Sequence, residues 1–298
     1  MRVAVTGAHG QLGAAIVAEF TGAYEVTAFG RADLDIADAT AVTAAMARVA
    51  PDVIINCAAM NDVDGAEERP IEALDANAFG VRALARAAGE TGAVLVHYST
   101  DFVFDGTATE PYRETDPPNP RSTYAQTKLL GEWFAREVPS AYVVRVESLF
   151  GSVPSTRPPK GSVAGIVRGI LTGVEVPVFE DRTVSPTYVI DAARATREIV
   201  ERRIEPGLYH CVNAGHCTWL AFAKELARQL GLEARLRPVR LADMPLRAER
   251  PRFCALSCDK LAAAGVPMPS REDAVSRYLS QLRRPADRTG HGPSGRTA

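Results

Sequence analysis

The first twenty residues constrain the fold more than any other stretch of the chain. Arg2-Val-Ala-Val-Thr6 has the apolar pattern of a short buried strand, and Gly7-Ala-His-Gly10-Gln-Leu-Gly13 follows it at once. A helical pattern then runs from Gln11 to Phe20. Glycines at 7, 10 and 13 let the chain turn tightly, bring backbone against a pyrophosphate, and pack the helix onto its strand. Phosphates would sit at the amino end of that helix, where free N–H groups and the dipole favour negative charge. A glycine triplet alone is weak evidence, and the spacing here, Gly-x-x-Gly-x-x-Gly, is a variant. Between a strand and a helix it predicts a dinucleotide site.

The first half of the chain goes on alternating strands with helices. Strands are expected at Arg2–Thr6, Glu25–Phe29, Val53–Cys57, Val94–Ser99 and Tyr142–Arg145. Helices are expected at Gln11–Phe20, Ala39–Val49, Pro70–Asp75 continuing to Glu90, and Tyr124–Glu137. Continuous Val/Ile strands separated by helices indicate a parallel sheet covered on both faces, a doubly wound α/β fold of the Rossmann type. Ligands in such sheets bind beyond the carboxyl ends of the strands. Gly7–Gly13, Ala58–Met60 and Ser99–Asp101 all follow strand ends directly, so they should converge on one crevice.

After residue 150 the pattern changes. Val153–Ser162 is rich in Pro, Ser and basic residues and reads as a loop beside the site. Ala164–Gly173, Val189–Arg202, Leu220–Leu230, Asp259–Gly265 and Glu272–Gln281 read as helices, with short strands at Pro177–Phe179 and Gly207–Val212 and an irregular stretch at Arg237–Arg252. The expected division is a dinucleotide-binding domain over 1–148, completed by 184–203, and a smaller α/β substrate-binding domain built from 149–183 and 204–283. Residues 284–298 have almost nothing to bury, so disorder is expected there.

Chemistry enters with Ser122-Thr-Tyr124-Ala-Gln-Thr-Lys128, downstream of Ser99-Thr100-Asp101. A tyrosine and a lysine four residues apart share one helix face. The ammonium is then expected near the phenol, favouring its ionised form. A hydroxyl from Thr100 would share the substrate oxygen with Tyr124. That trio suits proton transfer to or from a carbonyl while a nicotinamide carries the hydride. With eight tyrosines and only four lysines, chance supplies about 0.1 such pairs, although an ordinary surface helix with an i,i+4 contact reads the same way.

Composition removes other function classes. A net charge of −2 gives no whole-protein field to recruit nucleic acid or an anionic membrane. No run of about 18 apolar residues is present and the chain opens on a strand, which points to a cytoplasmic protein. Five scattered cysteines argue against a disulfide framework. His210-Cys211, His216-Cys217, Cys254 and Cys258 invite a metal reading, but no Cys-x-x-Cys pair of zinc-ribbon spacing exists, so no metal site is expected. Asp101, Asp105, Glu114 and Asp116 read as solvated loop acids, with a contact from Asp101 to sugar hydroxyls as the alternative.

The second strand ends in Phe29-Gly30-Arg31, where dinucleotide folds usually carry an acid for the ribose 2′-hydroxyl. A guanidinium at Arg31 suits a 2′-phosphate, which favours NADPH and leaves NADH open. Thirty of the 34 basic residues are arginine, so one arginine here means less than usual, and Asp33 remains a candidate for a ribose.

With these residues in hand, the chain resembles the dTDP-4-dehydrorhamnose reductase family of the extended short-chain dehydrogenase/reductases. Matching segments include Leu34-Asp-Ile36, Pro51-Asp-Val-Ile-Ile-Asn-Cys-Ala-Ala59, Val63-Asp-Gly-Ala-Glu67, Asn77, His97-Tyr-Ser-Thr-Asp-Phe-Val-Phe-Asp-Gly106 and Pro111-Tyr-Arg-Glu114. Tyr124-Ala-Gln-Thr-Lys-Leu-Leu-Gly-Glu132, Ser185-Pro-Thr187, Gly207-Leu-Tyr-His210 and Arg250-Pro251 extend the likeness. The resemblance implies Tyr124 as proton donor to a C4 keto oxygen, Lys128 on the nicotinamide ribose, and Thr100 on the reacting oxygen. It further implies Gly7, Gly10, Gln11 and Leu12 around the pyrophosphate, Asp35 and Ile36 beside the adenine, Ala58 and Ala59 at the nicotinamide end, and Asn77 as a supporting strut. A nucleotide-sugar substrate and NADPH follow from it; a homodimer is compatible with it, and a Mg²⁺ requirement stays open.

Three departures bear on the sugar. Phe102 stands where the family often has tyrosine after Ser-Thr-Asp, and Arg145-Val-Glu-Ser-Leu-Phe-Gly151 replaces Arg-Thr-Ser-Trp-Val-Tyr-Gly, putting Ser148 in the tryptophan's place. Arg-Pro-x-Asn-Ser becomes Arg250-Pro-Arg-Phe253-Cys254, with Arg250 a candidate for the nucleotide diphosphate. Losing the tryptophan removes about 1–3 kcal/mol of apolar contact with a hexose. Thr100, Asp101, Phe102, Ser148 and Arg250 are therefore the expected substrate contacts. A sugar-nucleotide epimerase and a non-catalytic NADP-binding regulatory subunit remain alternatives; a 4,6-dehydratase is disfavoured because Phe102 follows Asp101 where a second carboxylate is needed.

Overall fold

The computed structural model describes residues 1–153 and 161–283, so most of the Val153–Ser162 loop and all of the 284–298 tail lie outside the described residues. Six strands form one parallel sheet. They are β1 (Arg2–Thr6), β2 (Glu25–Phe29), β3 (Val53–Asn56), β4 (Val94–Thr100), β5 (Tyr142–Val146) and β6 (Gly207–His210), in the order β6-β5-β4-β3-β1-β2. The strands are short and rich in Val and Ile because both faces are covered. Val3, Val5, Ile55, Val96 and Val144 pack against helices α1 (Gln11–Phe20) and α5 (Val189–Arg202). On the other face Ala4, Ile54, Leu95 and Val143 meet α2 (Ala39–Val49), α3 (Gly80–Thr91) and the end of α4 (Thr123–Ala135). Each buried Val or Ile contributes about 1.5–3 kcal/mol. The double winding and the parallel sheet agree with the sequence pattern.

A smaller unit lies on the carboxyl-terminal side of the sheet. Helices Ser162–Thr172 and Trp219–Leu230 pack on the parallel pair Val176–Phe179 and Leu236–Val239, and Arg271–Arg283 packs on Trp219–Leu230 and Thr187–Tyr188, around Phe150, Phe222, Tyr188 and Tyr278. One expectation needs correcting. Gly207–Val212 was assigned to this unit, but Gly207–His210 pairs with β5, with Gly207 opposite Tyr142 and His210 opposite Arg145. An edge strand next to β5 completes the sheet and covers Tyr209 in the same core as Val144. The stretch read as irregular, Arg237–Arg252, contributes most of the Leu236–Val239 strand. A short helix, Val63–Glu68, also escaped the sequence pattern, while the helix expected from Pro70 to Glu90 forms with a π-helical turn at Asp75–Phe79 leading into α3.

Candidate active site

The chain runs from β1 to β2 on one side and then to β3 on the other, so the strand order reverses between β1 and β3. A crevice opens there, at the carboxyl ends. Gly7 has φ +65°, and a Cβ on it would lie 2.5 Å from the Ala58 nitrogen. A Cβ on Gly13 would lie 2.2 Å from the Gly7 carbonyl oxygen, so strand, turn and α1 meet at backbone distance. Gly10 caps α1 with no side-chain hydrogen bond, and the first turn carries no acidic residue. The unmatched N–H groups of that turn therefore face the crevice without a competing anion, which fits the diphosphate of a dinucleotide.

Two adjoining cavities make up the crevice, about 570 and about 440 Å³, and share Gly10 with Cys57, Ala58 and Ala59. The first is walled by Gly30, Arg31, Leu34, Asp35 and Ile36. The second is walled by Gln11, Leu12, Gly13, Thr100, Asp101, Phe102, Tyr124, Lys128 and Ser148. A larger hollow of about 830 Å³, between Met1, Pro51, Gly92 and Ile204, opens at the opposite strand ends and holds none of these groups.

Helix α4 delivers the tyrosine and lysine. Ser122 caps it, accepting from the Ala125 N–H at 3.3 Å, and the helix turns Tyr124, Thr127, Lys128 and Glu132 inward. The Lys128 ammonium donates to the Tyr98 carbonyl oxygen at 2.6 Å. Burial lowers its pKa to about 8, with the Glu132 charge opposing. Burial also holds the Tyr124 proton, raising the phenol's pKa, while a hydrogen bond with Thr100 acts the other way. The expectation that the ammonium favours the ionised phenol is corrected in direction: the ammonium takes the Tyr98 carbonyl oxygen as its acceptor, and burial raises the phenol's pKa. Thr100 Oγ1 accepts from the Phe102 N–H at 3.2 Å and contacts Asp101 Oδ1 at 3.0 Å. The ring of Phe102 meets Tyr124 edge-on at 5.7 Å. A phenol, an amine and a hydroxyl thus stand on one wall of a cavity whose other wall is the glycine turn.

The chain as a whole has known relatives. The model of the RmlD substrate binding domain family matches residues 1–284. The chain belongs to this family. It is 37% identical, over 97% of its length and 96% of the relative's, to a dTDP-4-dehydrorhamnose reductase of Streptomyces griseus. The crystal structure of a dTDP-4-dehydrorhamnose reductase from Clostridium acetobutylicum matches with a TM-score of 0.89 and 34% identity, covering 95% of this chain and 100% of that one. That of Bacillus anthracis, solved in complex with NADP, matches with a TM-score of 0.87 and 32% identity, over 94% and 99% of the two chains.

The remaining candidates of this RmlD-family chain fall into place unevenly. Asn77 is a strut: its Oδ1 accepts from the Met60 N–H at 2.8 Å and its Nδ2 donates to Thr127 Oγ1 at 3.1 Å, tying the loop after β3 to α4. Gln11 donates to the Gly151 carbonyl oxygen at 2.6 Å. Arg31 stands at the cavity mouth with its side chain 89% exposed, 3.7 Å from Asp35. Asp33 accepts from the Gly30 N–H at 2.8 Å, which shapes the turn instead of facing a ribose. Ser148 has φ +45°, the left-handed region that a side chain strains to adopt.

Arg250 is corrected. Its guanidinium forms a two-pronged pair with Asp64 at 2.8 Å on each prong, and it does not line the cavity with Tyr124. The Arg250 hydrogen bond holds the Asp64 carboxyl below its usual range. Sequence reading missed Arg182 and Trp219, which reach the cavity from the smaller unit and carry no local motif. The loop acids are structural: Asp105 accepts from Asn119 and Thr107, and Glu114 from the His210 N–H. All five cysteines are free thiols.

Proposed function

We propose that the chain is an NADPH-dependent reductase of the C4 keto group of a dTDP-4-keto-6-deoxyhexose, a dTDP-4-dehydrorhamnose reductase. The observation that carries this reading is the convergence of Thr100, Tyr124 and Lys128 on the cavity that the glycine turn closes. Bound NADPH supplies the hydride. Tyr124 holds a proton at neutral pH because it is buried, and gives it to the oxygen that becomes an alkoxide. Thr100 shares that oxygen, and the Lys128 charge stabilises the phenolate left behind. Gly7, Gly10, Gln11, Leu12 and Gly13 bind the diphosphate, Ala58 and Ala59 flank the nicotinamide, and Asp35 and Ile36 line the adenine. Arg31 takes the 2′-phosphate, a role its exposure at the cavity mouth leaves open to it. Asp101, Phe102 and Ser148 contact the sugar.

The test is oxidation of NADPH by enzymatically generated dTDP-4-keto-L-rhamnose, followed by nicotinamide absorbance, beside Tyr124→Phe. Removing a general acid is expected to cost about 10²–10⁴ in kcat. Undiminished turnover in the variant would sink the assignment. Failure of the wild type to turn over any keto-sugar, with NADPH bound, would favour the non-catalytic reading.

A further inference from the structure

Beside the wall that holds Tyr124, a second set of ionisable groups is almost wholly buried. β4 and β5 are paired so that their last residues, Thr100 and Val146, lie opposite each other, and Asp101 and Glu147, which directly follow the two strand ends, are neighbours. They are 3% and 1% exposed. One oxygen of each carboxyl is engaged: Asp101 Oδ1 with Thr100 at 3.0 Å, and Glu147 Oε2 with the Ser185 N–H at 2.7 Å. The other two, Asp101 Oδ2 and Glu147 Oε1, are buried with no hydrogen-bond partner. A carboxyl oxygen from each and the Cys254 sulfur lie within 4.8 Å of one another. Among the described residues the cation beside them is Arg182, 4.0 Å from Asp101 Oδ2 and 3.5 Å from the Cys254 sulfur, with its guanidinium over the Phe102 ring.

Two carboxylates beside one guanidinium in a dry site repel each other more than the cation offsets, as in other close carboxyl pairs. Cys254 adds no charge, because burial holds its thiol well above the usual range. A divalent cation would be another way to neutralise the acids, but Arg182 already presents a cation to Asp101 and Cys254.

We propose that Asp101 and Glu147 hold one proton between them against the charge of Arg182, and that this proton refills Tyr124 through the Thr100 hydroxyl after each reduction. The inference rests on the ketoreductase reading of Tyr124. Thr100 has one proton to donate and two lone pairs. If Asp101 is ionised, Thr100 spends its proton on Asp101 Oδ1. If Asp101 carries the shared proton, the same 3.0 Å contact runs the other way, and the Thr100 proton turns to Tyr124. When Tyr124 has given its proton to the substrate, the Thr100 O–H bond breaks towards the phenolate oxygen. The Asp101 O–H bond breaks towards Thr100, which is thereby restored. Tyr124 is neutral again and the acid pair is one proton short. Transfer runs downhill because a phenolate is the stronger base. Arg182 and Asp101 both line the cavity, and solvent returns the proton there. Burial raises the pKa of both acids and the Asp101 charge raises Glu147 further, while Arg182 opposes both shifts without reversing them.

Glu147→Gln leaves Asp101 alone with Arg182, so it should ionise and stop supplying protons. In stopped flow, the first turnover should proceed at close to the wild-type rate because Tyr124 begins protonated. Steady-state kcat should fall about tenfold or more, with its alkaline limb about one pH unit more acidic. Should Glu147→Gln fail to fold, the infrared spectrum of the wild-type protein still decides whether the pair holds a proton at neutral pH. A structural role for Glu147 would instead lower both phases at every pH. Infrared spectra of the resting protein read the proton itself: a protonated-carboxyl band should persist at neutral pH and vanish in Glu147→Gln. Absence of that band overturns the shared proton whatever the activity. A band with an unmoved limb and equal phases overturns its delivery to Tyr124. No turnover by the wild type overturns the ketoreductase reading and the delivery step together, while the band still decides the shared proton.

Discussion

Truncating Glu132 to Ala should show what keeps Lys128 in place and charged. Arg145 Nε and Nη2 donate to the two Glu132 oxygens at 2.8 and 2.7 Å, and the side chains are 3% and 2% exposed. In the variant the guanidinium stays buried. Around it remain the Phe104 ring, 4.9 Å away, and the His210 ring nitrogen at 3.5 Å. Neither is an anion; burial drives the His210 pKa down to about 3, so the ring is neutral and cannot replace the carboxylate. Breaking a buried pair by removing one partner costs about 3–5 kcal/mol, because the remaining charge stays desolvated and unpaired. For a chain of this size that lowers Tm by about 6–20 °C. Urea unfolding followed by the fluorescence of Trp133 and Trp219 measures it, with the denaturant slope unchanged. A loss below about 1 kcal/mol would refute the buried-pair argument. The pH profile supplies a second reading. Glu132 supports the Lys128 ammonium, which burial weakens to a pKa of about 8. Activity that needs the ammonium falls as pH rises through that value, and the fall should come at lower pH in the variant. An unmoved limb would mean that turnover does not follow the Lys128 charge.

Gly13→Ala should cut NADPH affinity about tenfold or more with secondary structure intact, since the new Cβ would meet the Gly7 oxygen at 2.2 Å and force the turn open. Gly10→Ala, whose Cβ meets that oxygen at 3.2 Å, should cost less, and equal losses in a fluorescence titration would contradict the geometry. Arg31→Ala should raise Kd for NADPH about five- to tenfold, a charged contact discounted for exposure, and leave NADH unchanged; parallel weakening of both cofactors would remove the 2′-phosphate role. His210 is neutral in the fold, with its pKa lowered to about 3, but takes up a proton near its ordinary 6.5 when unfolded. Its contribution to stability is therefore present above pH 6.5 and lost as pH falls towards 3, at up to about 2 kcal/mol by pH 5. His210→Gln should flatten the acid limb of the stability curve, and an identical slope would show that another group carries it.

What could be read from the chain was what local period and backbone geometry dictate. β1 and β2 end where the pattern placed them because their β-forming stretches stop at the glycine turn and at Gly30. The Tyr124 and Lys128 pairing needed only one helical repeat. Val63–Glu68 was invisible because six largely acidic residues carry no helical stripe. Asp62 caps it, and Arg250 holds it from 186 residues away. The same contact explains why Arg250 reads as a substrate ligand in sequence and as a clamp in space. Gly207–His210 was legible as a strand, but nothing within four residues says which sheet it extends. The acid pair marks the limit most sharply. Asp101 and Glu147 are neighbours only because β4 and β5 pair in one register, and Arg182 reaches them from the other unit. Each residue alone has an ordinary explanation as a loop acid, a strand-end acid or one arginine among thirty. Their chemistry exists only once the register is set, which is why a variant series at this pair tests the fold and the proposed proton path together.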